Sequence, residues 1–151
     1  MRLSLAAAAR ITDARNKAMI ECDIEAFLGL WSDDCIVEGP THYLEGKEAL
    51  RGAMEGAWAA MMPLEMITRS LAVNEDAMFY EFAVVQEVRA NRDRFLFSGM
   101  TYHQVDDASR LSRCREYFDP PGHPRRTAAT EPRLAALLSS RSGQQQTSSG
   151  I

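Results

Sequence analysis

Aromatic residues are missing from one whole segment of the chain. All twelve lie between Phe27 and Phe118, and the last 33 of the 151 residues contain none. A segment without rings has little to bury, so the sequence divides into a folding unit over 1–119 and a Pro/Ser/Gln-rich tail over 120–151. Four of the six prolines fall in that tail. It reads as a disordered segment with a short helix, opened by Thr130-Glu131-Pro132 and running over Leu134, Leu137 and Leu138; a lid or a strap across a dimer is the alternative.

Cysteine is scarce as well. Cys22, Cys35 and Cys114 are odd in number and form no CxxC pair, which excludes a disulfide framework and a zinc ribbon and fits a reducing, cytoplasmic setting. Basic charge is in deficit: residues 1–119 hold 13 Lys/Arg against 20 Asp/Glu, a balance of −7, while the tail holds four Arg against one Glu, a balance of +3. Binding to a phosphate backbone draws on basic groups that displace counterions, so nucleic acid is excluded as a partner. No stretch approaches the roughly 18 apolar residues of a membrane span. Leu3 to Ala9 imitates the core of a signal peptide but runs directly into Arg10-Ile11-Thr12-Asp13-Ala14-Arg15, and reads as the start of a helix. Phosphate-cradling glycine loops, metal-ligand clusters and nucleophile motifs are also missing, so the expected site uses no cofactor and no metal.

What is present is helical first and extended afterwards. Residues 4–21 carry an approximate stripe of Leu5, Ala8, Ala9, Thr12, Met19 and Ile20, and Asp23 caps a second helix over Ile24, Phe27, Leu28 and Trp31. Cys35 to Glu38 reads as a strand ended by Gly39-Pro40. Gly46 opens a third helix, through Leu50, Met54 and Trp58, that Pro63 stops. Residues 64–73, 77–89, 94–105 and 109–118 are strands separated by short polar turns, hence antiparallel hairpins. Three N-terminal helices on one face of a curved antiparallel sheet make an α+β domain whose concave side encloses a pocket.

Three local patterns sharpen this: Phe27-Leu28-Gly29-Leu30-Trp31-Ser32-Asp33-Asp34-Cys35-Ile36-Val37-Glu38-Gly39-Pro40, Leu44-Glu45-Gly46-Lys47-Glu48-Ala49-Leu50, and Arg110-Leu111-Ser112-Arg113-Cys114-Arg115-Glu116-Tyr117-Phe118-Asp119. In this order the chain resembles the SnoaL-like branch of the nuclear-transport-factor-2-like superfamily, whose cone-shaped α+β fold is shared with ketosteroid isomerases and limonene epoxide hydrolases. The resemblance implies a homodimer formed through the outer sheet face. Ketosteroid isomerases place one aspartate where this chain has Gly39 and another near Thr101. The final-strand aspartate of limonene epoxide hydrolases coincides with Glu116, while the middle strand near Glu81 to Val84 supplies neither their arginine nor their second aspartate. Polyketide cyclases of the SnoaL type align their His-Trp-Asp with Cys114-Arg115-Glu116, and a further histidine with His103. The implied activity is acid/base chemistry on a small hydrophobic or polyketide-like molecule. A binding or assembly module, and an epoxide hydrolase with an altered catalytic set, are the alternatives.

The residues by themselves point to the same place. Alternation puts Ser112, Cys114, Glu116 and Phe118 on one face, and Cys114 and Phe118 suggest that it is the buried one. Glu116 there is either a proton carrier with a raised pKa or the partner of an arginine such as Arg69 or Arg115. Phe95, Phe97, Gly99, Thr101, His103 and Val105 share the neighbouring face, bringing His103 to the same concavity, as a relay partner or as a structural group. Glu116 and His103 are therefore the catalytic candidates, and Trp31, Trp58, Phe97, Thr101, Cys114 and Phe118 the substrate-binding ones, with core packing as the plain reading of the tryptophans. Glu81 is a second candidate acid if its face is the pocket face. His42 and Tyr43 are assigned to a loop after the first strand, rimming the opening or merely exposed.

Overall fold

The computed structural model describes residues 2–118 and 132–140. Helix α1 (Leu5–Glu21) starts at Ser4, whose hydroxyl accepts from the Ala7 N–H, and ends where Cys22 turns left-handed at φ 51°. Asp23 caps α2 (Ile24–Gly29) by accepting from Ala26 N–H. Trp31 begins strand β1 (Trp31–Gly39) rather than closing α2, and β2 (His42–Glu45) occupies the segment expected to be loop. Helix α3 (Lys47–Ala60) follows Gly46, whose φ of 82° suits a residue without a side chain. The long strands are β3 (Met61–Asn74), β4 (Ala77–Val88), β5 (Arg94–Val105) and β6 (Leu111–Phe118), and a last helix, α4, spans Pro132–Ser139. Pro63 is tolerated within β3 because that strand lies at the sheet edge, beside a bulge between Pro63 and Glu65. No helix among the described residues is long and apolar enough to cross a membrane.

The fold is α+β, with one curved, unclosed sheet of order β2-β1-β6-β5-β4-β3. All neighbouring strands are antiparallel except β1 and β6, so the expectation of a wholly antiparallel sheet is corrected there. The polar turns after β3, β4 and β5 make hairpins, but β1 is separated from β6 by most of the chain and has no such constraint. The inner face meets α1, α2 and α3 in a core of Ala8, Ala18, Phe27, Leu28, Trp31, Val37, Leu50, Trp58, Met78, Val105, Leu111 and Cys114. A register shift after Gln104 turns Leu111 inward and leaves Ser112 unpaired, which reverses the face expected for Leu111. On the outer face, α4 buries Leu134 against Ala83, Val85 and Leu96. The short helix expected over Leu134 is thus present. The disorder expected for the remaining tail concerns 120–131 and 141–151, outside the described residues.

Candidate functional site

One inward-facing row crosses all six strands. His42 stands opposite Gly39; extending the β1–β6 register one residue past Glu38–Arg115 sets Gly39 beside Glu116. Glu116 is opposite Thr101, Thr101 opposite Tyr80, and Tyr80 opposite Leu71. Side chains at paired positions share a sheet face, so this register alone gathers an imidazole, a carboxylate, a hydroxyl and a phenol.

Glu116 is the centre of the row. Its Oε2 lies 3.3 Å from His42 Nε2 and its Oε1 3.9 Å from Arg15 Nη2, with the glutamate side chain 26% exposed and the histidine 32%. The hydrogen bond to Glu116 raises the pKa of His42 above its ordinary 6.5, against a smaller opposing effect of burial. Arg15 descends from α1 and is buried; its Nη1 donates to the Tyr80 hydroxyl, and its guanidinium lies over the Phe27 and Tyr80 rings at 5.9 and 5.6 Å. Burial works against its charge, but Tyr80, Cys114 and Glu116 outweigh that and raise its pKa. Tyr80 moves up as well, chiefly through burial, and stays a neutral phenol. The site therefore holds a fixed cation, a carboxylate and an imidazole that gains a proton readily.

The expected residues fall into three groups. Phe97 and Phe118 stand together, ring centres 5.0 Å apart, and Phe82 continues the wall 5.8 Å from Phe97. With Tyr80, 5.9 Å from Phe82, they form an aromatic lining beside Glu116. Thr101, within the row, and Cys114, two residues before Glu116, are fully buried. Trp31 and Trp58 both pack on Phe27, at 5.9 Å each, and belong to the core under α2 and α3.

The structure buries His103. It shares the inner face with Glu116 as expected, but the imidazole is 0% exposed, stacked on Tyr80 at 5.7 Å, edge-on to Trp31 at 5.6 Å, with Nε2 3.9 Å from Cys114 Sγ. Burial, with Arg15 adding to it, holds its pKa well below 6.5, so it is neutral near pH 7. The histidine that meets Glu116 is His42, delivered by the unforeseen strand β2.

Other charges are committed elsewhere. Arg115 and Arg113 hold Glu38 on the outer face, at 2.7 and 3.2 Å. Arg69 meets Glu81 at 3.7 Å, also outside, which removes Glu81 from the pocket face. The arginine set against Glu116 is Arg15, at 3.9 Å. A depression of about 220 Å³, lined by Glu38, Gly39, Pro40, Arg115, Glu116 and Tyr117, opens at this end of the row. Among the described residues no cluster of His, Cys, Asp or Glu is arranged to hold a metal ion.

Arg15 has no place in the sequence reading, and Gly39 enters it only as the position where ketosteroid isomerases carry an aspartate. Arg15 falls in the gap between Thr12 and Met19 in the apolar stripe of α1, a charge at a core-facing position, and that signal was available.

A sequence profile of the SnoaL-like domain matches residues 12–113. Among curated proteins no sequence match is found. Solved structures share the fold. A candidate isomerase from Bacillus subtilis superposes with a TM-score of 0.70 at 19% identity, covering 76% of this chain and 88% of that one. A candidate polyketide cyclase from Pseudomonas putida KT2440 gives 0.65 at 18%, covering 74% and 91%. An epoxide hydrolase from M. tuberculosis, described as LEH-like, gives 0.63 at 19%, covering 89% and 97%.

Proposed function

Because the chain belongs to the SnoaL-like domain family, we propose that it carries out cofactor-free acid/base chemistry on a small hydrophobic, polyketide-like carbonyl compound, with Glu116 moving the proton. The observation that carries this reading is the placement of Glu116: a half-buried carboxylate at the end of an aromatic wall, bonded on one oxygen by His42 and faced on the other by Arg15.

The chemistry follows from those contacts. Glu116 takes a proton from the carbon next to a carbonyl, and the electron pair left behind becomes an enolate. Arg15, charged and poorly hydrated, offsets the negative charge that now rests on the substrate instead of the carboxylate. His42 fixes the Glu116 carboxylate in one orientation through Oε2. Returning the proton to a different carbon gives isomerisation. Attack of the enolate on a second carbonyl, with the proton going to the new alkoxide, gives aldol cyclisation, and loss of a β-hydroxyl with that proton gives dehydration. Tyr80, Phe82, Phe97 and Phe118 supply the apolar surface that a ring-bearing substrate needs.

The test is deuterium exchange. Aryl ketones and cyclic β-diketones are incubated with the protein in D₂O, and loss of the α-proton is followed by NMR. Glu116→Gln lowers the exchange rate by about 10²- to 10⁴-fold, the range ordinary for a general base. Unchanged exchange in Glu116→Gln removes the assignment.

The burial of His103 and the ion pair on Glu116 favour a second reading, a module that binds such molecules without converting them. Saturable binding with no exchange by the wild-type protein would establish it. We place the protein in a reducing, cytoplasmic compartment, in keeping with its free Cys22, Cys35 and Cys114. A homodimer through the outer sheet face completes the proposal, supported by the exposed Phe79, Met100 and Tyr117 around a depression of about 380 Å³.

A further inference from the structure

Taking Glu116 as the acid/base, we infer that Gly39 is a positioning residue: by carrying no side chain, it lets the His42 imidazole cross strand β1 and reach the Glu116 carboxylate. The row makes the geometry plain. His42 on β2, Gly39 on β1 and Glu116 on β6 lie side by side on the inner face, so two strand spacings, about 10 Å, separate the outer two backbones. Side chains two strands apart ordinarily have a third between them. Here the middle one is absent, and the flanking two close to 3.3 Å.

The space is occupied to contact. A Cβ added at Gly39 would sit 2.3 Å from Cε1, 2.7 Å from Nε2 and 2.9 Å from Nδ1 of His42, inside the approach limit for all three ring atoms. The imidazole therefore lies over the Gly39 backbone, where any other residue would place its first carbon. The ring is partly exposed on its other side, at 32%. A substitution at Gly39 accordingly expels the ring toward solvent and leaves the strand in place.

The electrical surroundings of His42 are simple. Glu116 on β6 is the charge that acts on it, Arg15 on α1 stands beyond the far oxygen of that carboxylate, and Glu38, Arg113 and Arg115 lie together on the opposite sheet face. The hairpin β1–β2 thus works as one device. Its glycine and its histidine act in trans across the sheet, and the strand end needs no acidic side chain of its own.

The experiment is an NMR pH titration of the His42 ring in the full chain, without substrate, with His42→Asn to assign the resonance. In the wild type, His42 titrates above 6.5. In Gly39→Ala and in Glu116→Gln it returns toward 6.5. A Gly39→Ala protein whose His42 titrates as in the wild type overturns the inference. If Gly39→Ala unfolds too readily to titrate, the double variant Gly39→Ala/His42→Ala decides. Recovery of the melting temperature of His42→Ala alone shows that the ring was what the methyl group struck, and continued destabilisation shows that Gly39 serves the backbone instead and overturns the inference. These readouts are independent of turnover. Should Glu116→Gln leave proton exchange intact, the acid/base reading fails while the titration result on Gly39 stands.

Discussion

Arg15 brings a full positive charge under a helix, where it is surrounded by Phe27, Tyr80 and Cys114. A buried guanidinium is tolerated when its donors are engaged, and removing it leaves its partners stranded. Arg15→Met is expected to cost about 1–3 kcal/mol in urea unfolding, by leaving the Tyr80 hydroxyl without its donor and Glu116 without a counter-charge. Combined with Glu116→Gln the two losses should be less than additive, because the residues share one network. His42 gives a pH signature of the opposite kind. Its folded pKa is raised, so its protonation stabilises the fold fully below about pH 6.5, and that contribution fades as pH climbs through the raised value. Comparing wild type with His42→Asn by unfolding at a series of pH values should show the wild-type advantage shrinking on the alkaline side of 6.5; an advantage that grows there would contradict the pairing with Glu116.

At this scale, legibility followed locality. Glu116 was visible because alternation along one strand fixes its face, and Phe97 and Phe118 came with it. His42 reads only as a loop residue at the rim, and its bond to Glu116 is hidden, since a four-residue strand after Pro40-Thr41 has no periodicity to show and the partner lies 74 positions away in the chain. His103 was assigned to the correct face; what alternation could not show was that Tyr80 and Trp31 close over it.

Among the described elements, α4 docks on the outer sheet face through one buried leucine and one arginine. Leu134 fills a site formed by Ala83, Val85 and Leu96, and Arg94 donates to the Leu137 carbonyl at 2.8 Å and to the Ser140 hydroxyl. The same Arg94 holds the buried Glu87 at 2.9 Å, with Arg92 on its other oxygen at 2.9 Å. One guanidinium therefore ties the helix end to the sheet, where its positive charge also suits the helix C-terminus. Leu134→Ala is expected to cost about 2–3 kcal/mol, toward the lower end for a buried leucine because the helix can lift as a unit. Amide exchange in 132–139 should quicken while the His42 titration stays put. Movement of that titration would mean that α4 is coupled to the site through the sheet. The helix was legible in the sequence from its cap and leucine spacing, but its docking was not, because the receiving residues Ala83, Val85 and Leu96 read as interior strand positions. Bulges after Pro63, Thr68 and Gln104 were equally hidden, since a single extra residue leaves composition unchanged.

For the molecule as a whole, the outer sheet face is divided. Helix α4 covers one part, and Phe79, Met100, Tyr102 and Tyr117 remain open beside the Glu38, Arg113 and Arg115 cluster, with Tyr117 58% exposed. Tyr117→Glu places a charge at the centre of the proposed dimer contact. Sedimentation velocity should give twice the chain mass for the wild type and the single-chain mass for this variant; a wild type sedimenting as one chain at all concentrations would discard the dimer.

The parallel seam between β1 and β6 sets an order of events during synthesis. Arg115 bonds Glu38 across 77 positions, so the first long strand leaves the ribosome well before the strand it pairs with exists. Arg15, Gly39 and His42 are then all made and wait for Glu116. Joining such distant segments is slow, and in the interval β1 presents a bare edge to its surroundings. Crowded nascent chains would be exposed there to exchange of β6 between neighbours, and such an exchanged pair would carry each site assembled from two polypeptides.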